Sequence, residues 1–204
     1  HRDLHSFPTR RSSDLMLPPK LAREMINIAL DENDDDQTIV FDPFCGSGNI
    51  LMEAAVLSMP VLGSDISVRA VNHTGENLEW INKLTNNSKQ ITNKQEVIFM
   101  GDARSGEIWE RVPKDRRVVI CTEPYLGEPK KEKYKIGYAQ NAASGLTELY
   151  IDFLKNVAEA VSRGAKISNI CMIFPIFEIE DGSNLDLFMM SIDEIEKIGY
   201  TLLC

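Results

Sequence analysis

A glycine-containing segment, Asp42 to Asn49 (DPFCGSGN), follows a short apolar run and precedes a helical pattern. Gly46 and Gly48 allow the backbone to approach a ligand closely, with N–H groups exposed at a helix N-terminus. A nucleotide-like ligand fits such a turn. A phosphate-binding P-loop would need a lysine that is not present, and a dinucleotide fingerprint would need a third glycine where Leu51 stands.

Aspartates at the ends of three predicted strands narrow the choice of ligand. Asp42 would repel a pyrophosphate but attract the sulfonium and ammonium of S-adenosylmethionine. Asp65 could accept hydrogen bonds from ribose hydroxyls, and Asp102 from an adenine amino group. A single strand-end aspartate is usually just solvated, whereas three around one glycine turn favour a shared ligand. We predict an S-adenosylmethionine site formed by Asp42, Pro43, Phe44, Cys45, Gly46, Ser47, Gly48, Asp65, Ile66, Asp102 and Ala103.

A second segment, Cys121 to Gly127 (CTEPYLG), follows the fourth predicted strand. Methylation of an exocyclic base amine requires acceptors that hold its N–H groups, and an aromatic surface for the extruded base. Glu123, Pro124 and Tyr125 offer a carboxylate, a rigid turn with backbone carbonyls, and a ring, so we predict these three as catalytic residues. An ordinary turn with a packed tyrosine would be the preferred interpretation without the first segment.

The two segments lie in a chain that alternates helical and strand patterns. This alternation predicts an α/β fold with a doubly wound, mostly parallel sheet, whose ligands bind at the carboxyl edge. Helices are predicted over 17–30, 50–59, 67–84, 146–161 and 185–198. Strands are predicted over 38–41, 61–64, 97–100, 117–121 and 169–174, with a polar loop over 85–94. Residues 199–204 resemble a strand just begun, which predicts truncation at the C-terminus.

The first fifteen residues, HRDLHSFPTRRSSDL, have no helical or strand period and a basic, Ser/Thr-rich composition. We interpret residues 1–15 as a non-native tail, with a disordered basic arm as the alternative, and residues 16–204 as one domain.

The bulk composition fits one domain of 204 residues, 43% of them hydrophobic. No apolar run is long enough for a membrane span, and the four cysteines form no CxxC pair, so a cytoplasmic protein without a metal site is expected. The formal charge of −9 is unusual for a nucleic-acid enzyme. Either the substrate is not nucleic acid, or another part of the protein binds it.

Several segments together resemble the THUMP-associated tRNA guanine-N2-methyltransferases, whose archaeal members modify guanosine 10. The resemblance covers about residues 17–180 and rests on LPPKLA (17–22), DPFCGSG (42–48), GSD (63–65), NLEW (77–80) and TEPYLG (122–127). It implies a Rossmann-like class I methyltransferase fold, S-adenosylmethionine as cofactor, and methylation of a guanine 2-amino group in tRNA. It also implies an N-terminal RNA-binding region that we expect to be absent from residues 16–204.

The second segment departs from the family motif Asp-Pro-Pro-Tyr-Gly. One alignment places Glu123 at the acid, and the other places Thr122 there; we prefer Glu123, because a carboxylate can accept the released proton. The basic run Lys130 to Lys135 follows directly, and is equally consistent with phosphate contacts and with a solvated loop.

Other functions remain open at this point. The same cofactor site would suit an enzyme that methylates an adenine or cytosine amine, an rRNA guanine or a protein glutamine. A non-catalytic module that binds S-adenosylmethionine or RNA is a second possibility. A nicotinamide dehydrogenase is disfavoured by Asp42 and Leu51.

Overall fold

A five-stranded parallel sheet forms the centre of the molecule, in a computed structural model that describes residues 17–85, 97–129 and 132–203. The strand order is β3-β2-β1-β4-β5. The strands are β1 (Ile39–Asp42), β2 (Val61–Asp65), β3 (Ile98–Met100), β4 (Arg117–Thr122) and β5 (Lys166–Met172). A separate antiparallel hairpin consists of β6 (Ile176–Glu178) and β7 (Asn184–Asp186).

Helices cover both faces of this sheet. They are α1 (Pro19–Ala29), α2 (Asn49–Val56), α3 (Val68–Thr85), α4 (Gly106–Trp109), α5 (Ile136–Ser162) and α6 (Leu187–Ile198). Successive strand residues point to opposite faces. Accordingly, Phe41 packs in a core with residues of α4 and α5, whereas Val40 packs with α1 and α2. The predicted doubly wound, mostly parallel α/β fold is therefore confirmed.

The strand order reverses beside β1, whose two neighbours are β2 and β4. In such sheets a crevice opens at this switch point, beyond the carboxyl ends of the strands. The two segments singled out in the sequence follow β1 and β4, so both lie at this crevice.

Several elements differ from the sequence-based predictions. Helix α5 begins at Ile136 rather than Leu146, because Ala139 and Ala143 pack against the β6–β7 hairpin. That hairpin and the short α4 were not predicted. Residues 200–203 are irregular rather than a strand, and within the described ranges no further strand pairs with β5.

Two predictions concern residues outside the described ranges. The predicted tail, 1–15, lies wholly outside them, and only Thr85 of the predicted loop, 85–94, lies within them. In the part of the chain that is described, no helix combines the length and apolar character needed to cross a membrane.

Candidate active site

The carboxyl ends of β1 and β4 are joined by a hydrogen bond between two side chains. Thr122 Oγ1 donates to Asp42 Oδ1 over 2.7 Å, and the Phe44 N–H donates to the same oxygen over 3.1 Å. Asp42 is only 3% exposed. Burial raises the pKa of Asp42 to about 7, against the lowering effect of these two donors, and the nearby carboxylates of Asp65 and Glu123 raise it further.

The glycine turn is hydrogen-bonded to the end of β2. The Cys45 N–H donates to the Ser64 carbonyl over 2.9 Å, and the Gly46 N–H donates to Asp65 Oδ2 over 2.9 Å. The other oxygen of Asp65 accepts from the Ser67 N–H over 2.8 Å. Asp65 therefore lies against the glycine turn.

Two buried polar residues of α3 hold the carbonyl groups of the same turn. Thr74 Oγ1 donates to the Gly46 carbonyl and Asn77 Nδ2 donates to the Ser47 carbonyl, each over 2.9 Å. Both side chains are buried. The sequence analysis assigned no such role to either residue; the available signal was a polar pair three positions apart on the buried face of a helix.

Gly48 makes the turn possible at the start of α2. Its φ is +86°, in the left-handed region that glycine adopts readily. A Cβ atom placed there would lie 2.8 Å from Thr74 Cγ2, closer than such atoms approach. The next residue, Asn49, donates from Nδ2 to the Leu17 carbonyl over 3.0 Å, which joins the turn to the segment before α1.

The remaining residues of the predicted cofactor site differ in accessibility. Ile66 is exposed beside Asp65, and Ser47 is partly exposed. Of the other four, Pro43, Cys45 and Ala103 are buried, whereas Phe44 is partly exposed and its ring meets Phe153 edge-on.

Asp102 lies at the same sheet edge but already has a cationic partner. Arg104 donates to both carboxylate oxygens, from Nε over 3.1 Å and from Nη2 over 2.8 Å. These bonds with Arg104 hold the pKa of Asp102 below its usual value. The sequence predicts Asp102 as a ligand-binding acid but does not predict its ion pair with Arg104.

The second segment places its three predicted catalytic residues in different surroundings. Pro124 is buried, Glu123 is partly exposed, and Tyr125 is 57% exposed. Burial raises the pKa of Glu123. The Tyr125 carbonyl accepts a 2.7 Å hydrogen bond from the hydroxyl of Tyr150, a fully buried residue of α5. Helix α5 thus fixes the backbone of the turn while the Tyr125 ring stays accessible.

The crevice consequently combines acidic groups with a tight backbone turn. Asp42, Asp65 and Glu123 are close enough for each of the latter two charges to raise the pKa of Asp42. Negative charges that act on one another at this range favour a cationic ligand over an anionic one. In the described ranges, no three His, Cys, Asp or Glu side chains are grouped as a metal site would require.

The strand order and this crevice define a Rossmann-like α/β domain of the class I methyltransferase type. The family model described as UPF0020, RMKL-like methyltransferase domain, matches residues 10–175. The chain therefore belongs to the RMKL-like methyltransferase domain family.

Curated relatives carry a consistent name. The chain is 31% identical over 159 residues to a tRNA (guanine(10)-N2)-dimethyltransferase of Methanothermobacter thermautotrophicus, covering 78% of this chain and 38% of that protein. It is 46% identical over 66 residues to the protein of the same name from Methanocaldococcus jannaschii, covering 32% of this chain and 18% of that protein. The chain thus spans well under half the length of these relatives.

Among solved structures, TrmN of Thermus thermophilus aligns with a TM-score of 0.45 and 24% identity, over 71% of this chain and 35% of that one. The fold assignment rests on the strand order rather than on this similarity.

Proposed function

We propose that this chain is the catalytic domain of an S-adenosylmethionine-dependent RNA methyltransferase, which methylates the exocyclic 2-amino group of a guanosine in tRNA. The observation that carries the proposal is that Asp42 begins and Asp65 binds one glycine turn, and that Asp42 is bonded to Thr122 beside Glu123, in a chain of this family. The target nucleotide follows from the names of the curated relatives.

The residues present fit this cofactor. A buried carboxylate at Asp42 suits an ammonium or sulfonium group, because a cation would offset the unfavourable burial of its charge. Asp65 retains acceptor capacity for ribose hydroxyls, since each of its oxygens accepts one bond and can accept another. Asp102 would accept from adenine beside Arg104.

We propose the following chemistry at the second segment. S-adenosylmethionine, when bound, supplies an electrophilic methyl group. Glu123 and the Pro124 carbonyl hold the N–H groups of the base amine, and Glu123 accepts the proton that the methylated nitrogen loses. A pKa raised by burial suits Glu123 to that role at neutral pH. The exposed Tyr125 ring stacks on the base.

The buried state of Thr122 supports Glu123 as the acid of the motif. Thr122 is fully buried and its hydroxyl is committed to Asp42. It is therefore committed to the residue that begins the cofactor turn, which leaves Glu123 as the acid available to the base amine.

The acidic charge of the chain is compatible with a tRNA substrate if most phosphate contacts come from elsewhere in a longer protein. The coverage of 38% of the first relative leaves room for such a region. We also propose a cytoplasmic setting, because the described Cys45, Cys121 and Cys171 are free thiols, which suit a reducing compartment.

Incubation of the chain with tRNA transcripts and isotopically labelled S-adenosylmethionine tests the proposal. Mass spectrometry of the nucleosides is expected to show labelled N2-methylguanosine. Glu123→Ala should still bind the cofactor but lose at least 100-fold in rate, whereas Glu194→Ala, at an exposed glutamate of α6, should keep its rate. Label on another base would contradict the proposed guanine target. Cofactor binding without methyl transfer would indicate a non-catalytic binding module.

A further inference from the structure

Two tyrosines beside the second segment form an aromatic pair that the proposed chemistry does not use. Tyr134 and Tyr138 stack with their ring centroids 5.8 Å apart and their planes 15° from parallel. Tyr134 precedes α5 and Tyr138 lies in its first turn. Tyr138 remains 37% exposed although one face of its ring lies on Tyr134.

Tyr134 is held in place by the β6–β7 hairpin. Its N–H donates to the Glu178 carbonyl over 2.8 Å, and its carbonyl accepts from the Glu180 N–H over 3.0 Å. Its ring meets Phe177 edge-on, with centroids 5.1 Å apart. The inner ring of the pair is therefore fixed by backbone pairing and packing.

Both hydroxyl groups are bound to Glu128, at the end of the second segment. Tyr134 donates to the Glu128 carbonyl over 2.8 Å, and Tyr138 donates to its Oε2 over 3.1 Å. The bond to Glu128, with smaller effects of the nearby Tyr134 and Tyr125 phenols, raises the pKa of the Tyr138 hydroxyl. The pair is thus bonded to Glu128, three residues after Tyr125, whose ring is assigned to the target base.

The surrounding charge favours a nucleic acid. From Glu128 to Lys135 the sequence contains four lysines and two glutamates, in a chain whose net charge is −9. Lys133 and Lys135, on either side of Tyr134, are exposed. An exposed ring with adjacent lysines is the combination that binds single-stranded nucleic acid, because bases stack on the ring and phosphates pair with the cations.

We propose that the Tyr138 ring, supported by Tyr134, is a stacking subsite for an unpaired RNA base that neighbours the methylated nucleotide, with Lys133 and Lys135 at the adjoining phosphates. This subsite rests on the proposed function for the identity of the ligand. It assigns recognition of a flanking nucleotide to the catalytic domain itself.

Binding of a short single-stranded RNA, with the fluorescent base 2-aminopurine next to a guanosine, tests the subsite with the full chain. Stacking on Tyr138 quenches the fluorophore. Tyr138→Leu removes the ring and should weaken binding by about five- to a hundredfold and abolish the quenching. Tyr138→Phe keeps the ring but loses the bond to Glu128, and should bind like the parent.

Cofactor affinity and the KM for tRNA separate this subsite from the proposed function. Both variants should bind S-adenosylmethionine like the parent, and Tyr138→Leu should raise the KM for tRNA more than it lowers kcat. Equal quenching by the parent and Tyr138→Leu, or none by the parent, overturns the subsite whether or not methyl transfer occurs. Absence of methyl transfer by the parent overturns the proposed function, while the quenching still decides the subsite.

Discussion

Thr122 on β4 and Asp42 on β1 are bound to each other across the switch point of the sheet, with 2.7 Å between Oγ1 and Oδ1. The bond connects the end of the strand that carries the cofactor turn to the end of the strand that carries Glu123. Because both residues are buried, water cannot replace the bond if one partner is lost.

Replacement of Thr122 by valine removes this donor at nearly constant volume. We expect the free energy of unfolding at pH 8 to fall by about 1–3 kcal/mol, because a buried carboxylate loses a partner. The hydroxyl bond lowers the pKa of Asp42, so its loss should raise that pKa. The pH above which S-adenosylmethionine binds should then also be higher in the variant. Urea unfolding and cofactor titration from pH 6 to pH 9 measure both effects. Unchanged stability together with an unchanged pH profile would show that the bond is unimportant.

The ionisation of Asp42 predicts a pH-dependent stability. Its pKa is about 7 in the folded chain, against an ordinary value of 3.8. The unfolded chain therefore ionises first as the pH rises, so the parent protein loses stability between about pH 4 and pH 7.

Asp42→Asn keeps an acceptor for Thr122 and Phe44 but cannot ionise. Relative to the parent, the variant should gain stability as the pH rises, up to a ceiling of about 4 kcal/mol near pH 8. It should bind S-adenosylmethionine more weakly at the same pH. Denaturant unfolding of both proteins at pH 5 and pH 8 tests the expectation, and a stability difference that is equal at the two pH values contradicts it.

Gly48→Ala tests the close contact at the glycine turn. The added Cβ would meet Thr74 Cγ2 at 2.8 Å, in a residue whose φ is already in the left-handed region. Gly164 is a matched control, because its φ of +98° is also left-handed but no atom lies within 4 Å of the added Cβ. We expect Gly164→Ala to cost about 1 kcal/mol from the backbone alone. Gly48→Ala should cost about 1–3 kcal/mol more through overpacking. Equal losses in thermal unfolding would rule out the steric role of Thr74.

Asn77→Ala tests whether α3 positions the turn for its ligand. The variant loses the bond from Asn77 Nδ2 to the Ser47 carbonyl, and we expect cofactor affinity to fall by about tenfold, or ~1.4 kcal/mol. Asn169→Ala is the control, because Asn169 Nδ2 donates to the Ala29 carbonyl over 2.9 Å, on β5 and away from the crevice. Both variants should lose stability, but only Asn77→Ala should lose affinity. Equal affinity of the two variants for the cofactor would show that Asn77 does not position the turn for its ligand.

The main parts of the candidate site could be predicted because local patterns in the sequence indicate them. The Gly46–Gly48 turn and the aspartates at strand ends are adjacent in sequence to apolar runs, and parallel strands bring their carboxyl ends to one edge. The sheet and most of its helices could be predicted from the alternation of helical and strand patterns along the chain.

Contacts between residues distant in sequence were not predictable in this way. Tyr150 holds the Tyr125 carbonyl from 25 residues away, and Asn77 holds Ser47 from 30 residues away. Such bonds depend on how helices pack on the sheet, which one sequence does not specify. The start of α5 at Ile136 was not predicted because Gly137 and Gly145 weaken the helical pattern of this segment. The β6–β7 hairpin packs against the first turns of α5 and stabilises them.

Calorimetric titration of the full chain with S-adenosylmethionine tests the central claim most directly, with NAD as the competing ligand and Asp65→Ala as the site variant. A matched control is Asp181→Ala, because Asp181 is an exposed aspartate that accepts bonds from Ser183 in the turn between β6 and β7 rather than from the glycine turn. The account predicts that S-adenosylmethionine binds and NAD does not, and that affinity falls at least tenfold in Asp65→Ala but not in Asp181→Ala. A folded chain that ignores S-adenosylmethionine, or that binds it equally well without the Asp65 carboxylate, would contradict the account.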